Sequence, residues 1–226
     1  MITKNKFLTL DTETVGLPPK NFVYDLGYTI HDKSGNVFLK RNFLVRDIIT
    51  DPSKMMSAFY AKKIFSYYIP AIDAGKISLW NWSDIAAQLA ADMVEHSVNV
   101  ITAYNARFDI GAMRSTNSIL NGSQIVPYPV RMLCIWNFAC KVLLNRSTYH
   151  RLAAQHGWIS DAGNVRTTAE HTYRYITGIY DFIESHTALD DAIIETAILA
   201  KCFDQKKKIP YDDLATMPWQ IAQEVA

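Results

Sequence analysis

The sequence predicts a mixed α/β fold in a single domain, residues 1–226, and three observations support this. At about 150 residues per domain, a chain of 226 residues holds one or two domains. Hydrophobic residues make up 49% of the chain and aromatic residues 12%, enough for one sizeable core. Three strand-like segments come first, and helix-like and strand-like segments alternate after them, an order that predicts a mixed sheet with helices packed on it.

The first three strands are predicted from β-prone segments separated by turn residues. Residues 6–11 form an apolar run that ends in Asp11. Residues 22–30 are also β-rich, and the turn-prone run Asp-Lys-Ser-Gly-Asn separates them from the alternating segment 37–45. We therefore expect three antiparallel strands at the start of the fold.

After an aromatic-rich segment, 59–82, helices and short strands alternate. Ser83 is a suitable N-cap for a helix whose apolar side chains, Ile85, Leu89 and Met93, repeat every four residues. Residues 104–109 lead from one predicted strand into another helix. Apolar runs predict the fourth and fifth strands at 98–103 and 130–134. Helical spacing predicts further helices at 136–144, 149–156, 167–177 and 189–203.

Composition excludes several classes of protein. Nine glycines and eight prolines are too few for a disordered or collagen-like chain. The longest apolar run, 132–140, is about half of a membrane span, and the N-terminal residues do not resemble a signal peptide. Three cysteines, Cys134, Cys140 and Cys202, are too few for a disulfide framework. We therefore expect a soluble, cytoplasmic protein.

The net charge of +1 argues against a protein that grips long duplex DNA through many phosphates. It does not argue against an enzyme that holds only a chain end through metal ions, because the ions then carry the positive charge.

Carboxylates occur at three places where strands end or helices begin. Asp11 and Glu13 are two residues apart on a strand and therefore share a face. Asp109 falls in the first turn of a helix, and Asp190 and Asp191 fall at the start of the last helix. For Asp11 and Glu13 taken alone, solvated acids at a strand end are the better interpretation, and for Asp109 alone an acid that stabilises the helix dipole is a reasonable one.

Helix geometry distinguishes the last two aspartates. With Thr187 as N-cap, Asp190 lies at the third helical position and approximates a capping box. Asp191 points about 100° away from it and has no capping role. His186 lies outside the helix and can turn towards Asp191. We therefore take Asp191 as the functional residue.

Four carboxylates at one point would repel one another strongly unless divalent cations neutralised them. All-oxygen ligation favours Mg²⁺ or Mn²⁺. Two such ions about 4 Å apart can hold the attacking and leaving oxygens of a phosphodiester. His186 would then act as the general base that removes a proton from water.

Three segments, taken in order, resemble the motifs of the DnaQ-like 3′–5′ exonucleases of the DEDDh subtype. They are Leu-Asp-Thr-Glu-Thr-Val-Gly-Leu at 10–17, Tyr-Asn-Ala-Arg-Phe-Asp at 104–109, and His186 followed five positions later by Asp191. The resemblance implies a ribonuclease H-like fold with a mixed five-stranded sheet flanked by helices. It also implies two-metal hydrolysis of the 3′-terminal phosphodiester, with release of 5′-mononucleotides.

Residue-by-residue matching to these motifs implies a site. His186 would be the base, and the metal ligands would be Asp11, Glu13, Asp109 and Asp191. The residues that would contact or shape the pocket of the terminal nucleotide are Thr14, Leu17, Asn105 and Phe108. Independently of the motifs, the aromatic-rich segment can serve core packing or base stacking; we expect most of its side chains in the core and one or two, Tyr67 or Tyr68, to line the substrate groove.

Residues 24–32 and 181–186 are further similar to stand-alone exonucleases of phages and bacteria. We expect single-stranded DNA ends to be the favoured partner. Two alternatives stay open: an RNA exonuclease or oligoribonuclease of the same superfamily, and an inactive exonuclease fold that binds nucleic acid. Intact Asp11, Glu13, Asp109, Asp191 and His186 argue against the second. The sequence leaves association with a polymerase open.

Overall fold

The computed structural model describes residues 6–120, 130–205 and 208–224. Within these residues the chain forms one six-stranded sheet with the strand order β4-β3-β2-β1-β5-β6. The strands are β1 (Lys6–Val15), β2 (Phe22–Asp32), β3 (Val37–Val45), β4 (Ser78–Trp80), β5 (Val100–Ala103) and β6 (Arg131–Cys134). Strands β1, β2 and β3 pair antiparallel, and the other pairings are parallel.

This architecture confirms the mixed α/β class with three antiparallel strands first. The described residues contain one strand more than the five expected. The additional strand, β4, pairs with Phe43, Leu44 and Val45 at the sheet edge. A three-residue strand is too short to show a period-two pattern, and β4 lies inside the segment in which aromatic residues obscure any pattern.

The helices of the described residues surround this sheet. They are α1 (Arg46–Ile49), α2 (Pro52–Met55), α3 (Ile69–Asp73), α4 (Trp82–Glu95), α5 (Ala106–Ile119), α6 (Ile135–Ala139), α7 (Ser147–His156), α8 (Ala169–Thr177), α9 (Ala188–Gln205) and α10 (Trp219–Gln223). Two π-helical turns, Ile64–Tyr68 and Cys140–Leu144, precede α3 and continue α6. The predicted helix 136–144 is therefore α6 together with its π-helical turn. In the described residues, no helix is both long and apolar enough to cross a membrane.

The two faces of β1 differ in chemistry. Leu8 and Leu10 belong to the apolar core that also contains the buried side chains of α4 and α5. Phe7 and Thr9 point to the opposite face, where α9 lies; Phe7 packs with the apolar residues of α9, and Thr9 bonds His31 and Thr102. The alternation continues along the strand, so Asp11 and Glu13 also lie on the face towards α9.

Tyr68, a candidate groove residue, is instead a core residue. Its side chain is fully buried, and its hydroxyl donates to Asp25 Oδ2 at 2.9 Å. Of the two groove candidates, Tyr68 is therefore ruled out, because its side chain points inwards from a π-helical turn. Tyr67, its neighbour, remains exposed.

Candidate active site

The start of α9 packs directly on the sheet beside Asp11. Gly27 is the register partner of Asp11 on β2. A Cβ atom on Gly27 would lie 2.1 Å from the backbone nitrogen of Leu189, a distance that no side chain can accept. The buried Asp25 reinforces this contact, because its Oδ2 accepts the backbone N–H of Ala188 at 3.2 Å. Glycine at position 27 thus allows α9 to approach β1 and β2.

Because of this close approach, Asp191 meets the two carboxylates of β1. Oxygen atoms of Asp11, Glu13 and Asp191 all lie within 4.8 Å of one another. Glu13 and Asp191 are buried, and Asp191 Oδ1 has no hydrogen-bond partner among the residues that the structure describes. We call Asp11, Glu13 and Asp191 the carboxylate cluster.

The surroundings of the carboxylate cluster strongly disfavour its negative charge. Burial, followed by the charge of Asp191, raises the pKa of Glu13 to about 9. Burial, followed by the charge of Glu184, raises the pKa of Asp191 to about 8. The pKa of Asp11 is raised well above its ordinary value, mainly by burial and then by the charge of Glu195. The cluster therefore requires protons or cations at neutral pH.

Asp109 lies beside the carboxylate cluster. Its oxygens are not among those that lie within 4.8 Å of one another in the described residues. Its Oδ1 accepts a hydrogen bond from Thr12 Oγ1 at 2.8 Å, so it is tied to β1 next to Asp11. Burial raises its pKa to about 7. The structure thus brings three of the four expected ligands into one group and places the fourth next to it.

A fifth carboxylate, Glu195, was not expected from the motifs. Glu195 is buried, and its Oε2 accepts the backbone N–H of Tyr104 at 3.1 Å. Burial and the charge of Asp109 raise its pKa well above the ordinary value. It follows Asp191 by four residues on α9, and this spacing is the sequence signal that could have revealed it, because residues four apart share a helix face.

Asp25 is a further polar residue that the motifs do not indicate. It is fully buried opposite Glu13 and accepts hydrogen bonds from Asn42, Tyr68 and Ala188. Its pKa is raised by burial to about 6. Because its partners are donors from three other segments, Asp25 connects the start of α9 to the sheet.

His186 lies in the loop before α9 and is half-buried. Its ring stacks on Tyr60, with ring centres 4.5 Å apart and an angle of 16° between the planes. Its Nδ1 lies 3.7 Å from Glu184 Oε2. Burial and, next, the charge of Lys63 lower its pKa below 6.5, so the imidazole is neutral at pH 7.

Asp190 is the third residue of α9, the position expected with Thr187 as N-cap. It is exposed, and its Oδ2 accepts hydrogen bonds from the hydroxyls of Thr187 at 2.8 Å and Ser185 at 3.1 Å. It therefore faces the loop before α9, whereas its neighbour Asp191 belongs to the carboxylate cluster.

The four residues expected to bind the terminal nucleotide lie in or directly beside two elements, β1 and α5. Thr14 is part of β1, and Leu17, just after β1, is 82% exposed. Asn105 and Phe108 line a cavity of about 580 Å³ at the start of α5, to which Arg107 and Arg114 also contribute. The structure thus places these candidates beside the segments that carry Glu13 and Asp109.

Comparisons with known proteins show similarity in fold. No family model and no curated protein matches the sequence. The structure of E. coli exonuclease I in complex with a dA16 oligonucleotide matches with a TM-score of 0.55 and 16% identity, covering 89% of this chain and 41% of that one. Apo exonuclease I matches with a TM-score of 0.56 and 20% identity, covering 90% and 43%. A product-bound exonuclease I matches equally well, with 20% identity over 89% and 45%.

This chain therefore spans less than half the length of the exonuclease I chains that it matches. The shared arrangement is a mixed sheet flanked by helices. It agrees with the ribonuclease H-like fold that the motifs imply.

Proposed function

We propose that this chain is a metal-dependent 3′–5′ exonuclease of the DnaQ-like DEDDh type, with residues 1–226 as one catalytic domain. The observation that carries the proposal is the carboxylate cluster, in which a buried oxygen of Asp191 has no hydrogen-bond partner within residues 6–120, 130–205 and 208–224. The exonuclease I-like fold and the order of the motifs support it.

The residues of the carboxylate cluster suit divalent cations. The donors are all oxygen atoms, which favours Mg²⁺ or Mn²⁺ over zinc. Their raised pKa values show that the protein alone provides little compensation for their charge. We propose that Asp11, Glu13, Asp109 and Asp191 hold two ions. When bound, such ions neutralise charge on the scissile phosphate and lower the pKa of a water molecule.

His186 supplies the base. A neutral imidazole accepts a proton, and the lowered pKa of His186 keeps it neutral at pH 7. It lies in the loop immediately before α9, the helix that carries Asp191. We propose that its free ring nitrogen takes the proton of the attacking water, while Tyr60 covers one face of the ring.

The substrate that the surroundings fit best is an unpaired 3′ end. Leu17 and Phe59 are more than four-fifths exposed at the end of β1, where apolar side chains can pack on bases. Arg107 and Arg114 in the adjacent cavity can pair with backbone phosphates. Exonuclease I was crystallised with a DNA oligonucleotide, which favours single-stranded DNA here.

The experiment is digestion of matched single-stranded DNA, duplex DNA and RNA, labelled at the 3′ or the 5′ end. We expect stepwise shortening from the 3′ end with Mg²⁺ or Mn²⁺ and none with EDTA. D191N is the inactive control, and D190N is its matched, active neighbour. Product in EDTA would contradict the metal mechanism, and faster digestion of RNA than DNA would favour the RNA exonuclease. Binding without digestion by the intact protein would indicate an inactive fold.

A further inference from the structure

The segment between β3 and β4 reaches over the end of β1. Ala58 forms a β-bridge with Val15, and the backbone N–H of Gly16 donates to Ser57 Oγ at 3.1 Å. These contacts bring Tyr60 and Lys63 to the carboxylate end of the strand, although both are distant in sequence from the other site residues.

Tyr60 covers one face of His186. The two rings are nearly parallel at a centroid distance of 4.5 Å. Phe59 packs edge-on against Tyr60, with ring centres 4.8 Å apart, and the Lys63 ammonium lies 4.5 Å from the centre of the Tyr60 ring. The imidazole therefore has an aromatic support that is itself held on two sides.

Lys63 holds the backbone of the same loop. Its Nζ donates to the carbonyl oxygens of Ser185 and His186. His186 has a φ of +52°, in the left-handed region that side chains disfavour. Residues in that region persist where surrounding contacts impose the conformation. The bond from the Lys63 ammonium and the stacked ring of Tyr60 are two such contacts at His186.

We propose that Tyr60 and Lys63 are positioning residues for His186: they hold the base-bearing loop in its working conformation. This inference rests on the proposed function, because positioning matters only if His186 acts as the base. Tyr60 acts through its ring face and Lys63 through its bonds to the loop carbonyls, so neither needs to contact the substrate.

Kinetics of Tyr60 variants test the proposal. Y60L should lower kcat about 10–100-fold with little change in KM, because misplacing a reacting group costs rate. Y60F keeps the ring and should restore most of kcat. Combined with H186A, Y60L should cause no further loss, because it acts only through the imidazole. The control is Y180L, which removes a tyrosine packed 4.3 Å from the ring of another histidine, His156.

Histidine NMR of the metal-free protein provides a readout independent of activity. The ring protons of His186, identified by their loss in H186A, should be shifted upfield by the Tyr60 ring. The shift should disappear in Y60L, persist in Y60F and Y180L, and weaken in K63M. If Y60L does not fold, K63M replaces it in the kinetic and NMR experiments, and K63R replaces Y60F as the conservative variant.

The outcomes distinguish failure of the proposed function from failure of the positioning role. A parental rate for H186A would refute the base assignment in the proposed function. If H186A is slow but Y60L retains kcat, the positioning role is wrong. Raised KM with unchanged kcat, or additive losses in the double variant, would show that Tyr60 binds substrate and would also overturn the proposal.

Discussion

Replacing Asp191 by asparagine should make the metal-free protein more stable while abolishing hydrolysis. In the folded protein the pKa of Asp191 is about 8, against its ordinary value of 3.8. At pH 7 this difference corresponds to on the order of 4 kcal/mol of destabilisation. The asparagine amide would also be buried with an unpaired atom, which costs about 1–3 kcal/mol. We therefore expect D191N to gain about 2 kcal/mol.

The gain should depend on pH in a defined direction. Between pH 3.8 and about 8 the folded protein retains the Asp191 proton that the unfolded chain has lost. The contribution of Asp191 to stability is therefore most favourable below pH 3.8 and declines as the pH rises to about 8. The advantage of D191N should accordingly be small at pH 5 and largest at pH 8.5.

Thermal melts in EDTA at pH 5, 7 and 8.5 measure the effect. For a chain of this size, the gain of about 2 kcal/mol at pH 7 corresponds to a Tm increase of about 4–8 °C, and the increase should be smaller at pH 5 and larger at pH 8.5. Added Mg²⁺ or Mn²⁺ should raise the Tm of the parent more than that of D191N, because the variant would lack one of the proposed ligands.

The neighbouring variant D190N is the matched control. Asp190 is exposed and bonds hydroxyls of its own loop, so its loss should cost up to about 1 kcal/mol and spare most of the activity. A D191N protein that melts below the parent at pH 8.5 in EDTA would refute the electrostatic reasoning. Loss of hydrolysis in D190N but not in D191N would show that the fourth ligand is misassigned.

Four further variants test other parts of the site. H186A should lower the rate about 10²–10⁴-fold without weakening DNA binding. In the parent, the rate should rise with pH with a midpoint below 6.5, because the pKa of His186 is lowered. A pH-independent rate would contradict the role of His186 as base. R107Q and R114Q should each weaken binding of single-stranded DNA in EDTA, as measured by fluorescence anisotropy. Each should also reduce the slope of the logarithm of the binding constant against the logarithm of salt concentration by about 0.7. Unchanged slopes would exclude phosphate contacts by these arginines. In chemical denaturation, G27A should lose about 3 kcal/mol or more of its free energy of unfolding, because its Cβ would collide with Leu189. The variant should also lose the stabilisation that added metal confers. Parental stability would contradict the close packing.

The sequence predicts the parts of this fold whose signals are local and periodic. The opening strands have apolar alternation and a turn-prone connection, and helix α4 has apolar residues every four positions. Asp11 and Glu13 share a strand face, and helix geometry directs Asp190 and Asp191 to different sides; in the structure Asp191 joins Asp11 and Glu13, whereas Asp190 bonds the hydroxyl of Thr187. That these residues bind metal stays a prediction.

Other parts depend on contacts between distant segments. Tyr67 and Tyr68 are neighbours in the aromatic-rich segment, and the local sequence does not distinguish them. In the structure, Tyr68 lies in a π-helical turn and is buried against Asp25. Nothing local to Tyr60 indicates that it will stack on a histidine 126 positions away. Glu195 has a visible four-residue spacing from Asp191, but its burial follows from packing of α9 on the sheet.

The two faces of β1 indicate why metal binding explains the carboxylate cluster better than a structural role does. Leu8 and Leu10 stabilise one face by burial, whereas Asp11 and Glu13 on the other face carry strongly raised pKa values. Structural carboxylates in protein interiors are normally paired with donors or cations. Asp191 Oδ1 has no such donor in the described part of the chain. Burying these groups lowers the stability of the metal-free fold, and ions that bind only the folded state would offset that loss. We therefore expect the stability of this protein to follow the concentration of divalent ions as closely as its activity does.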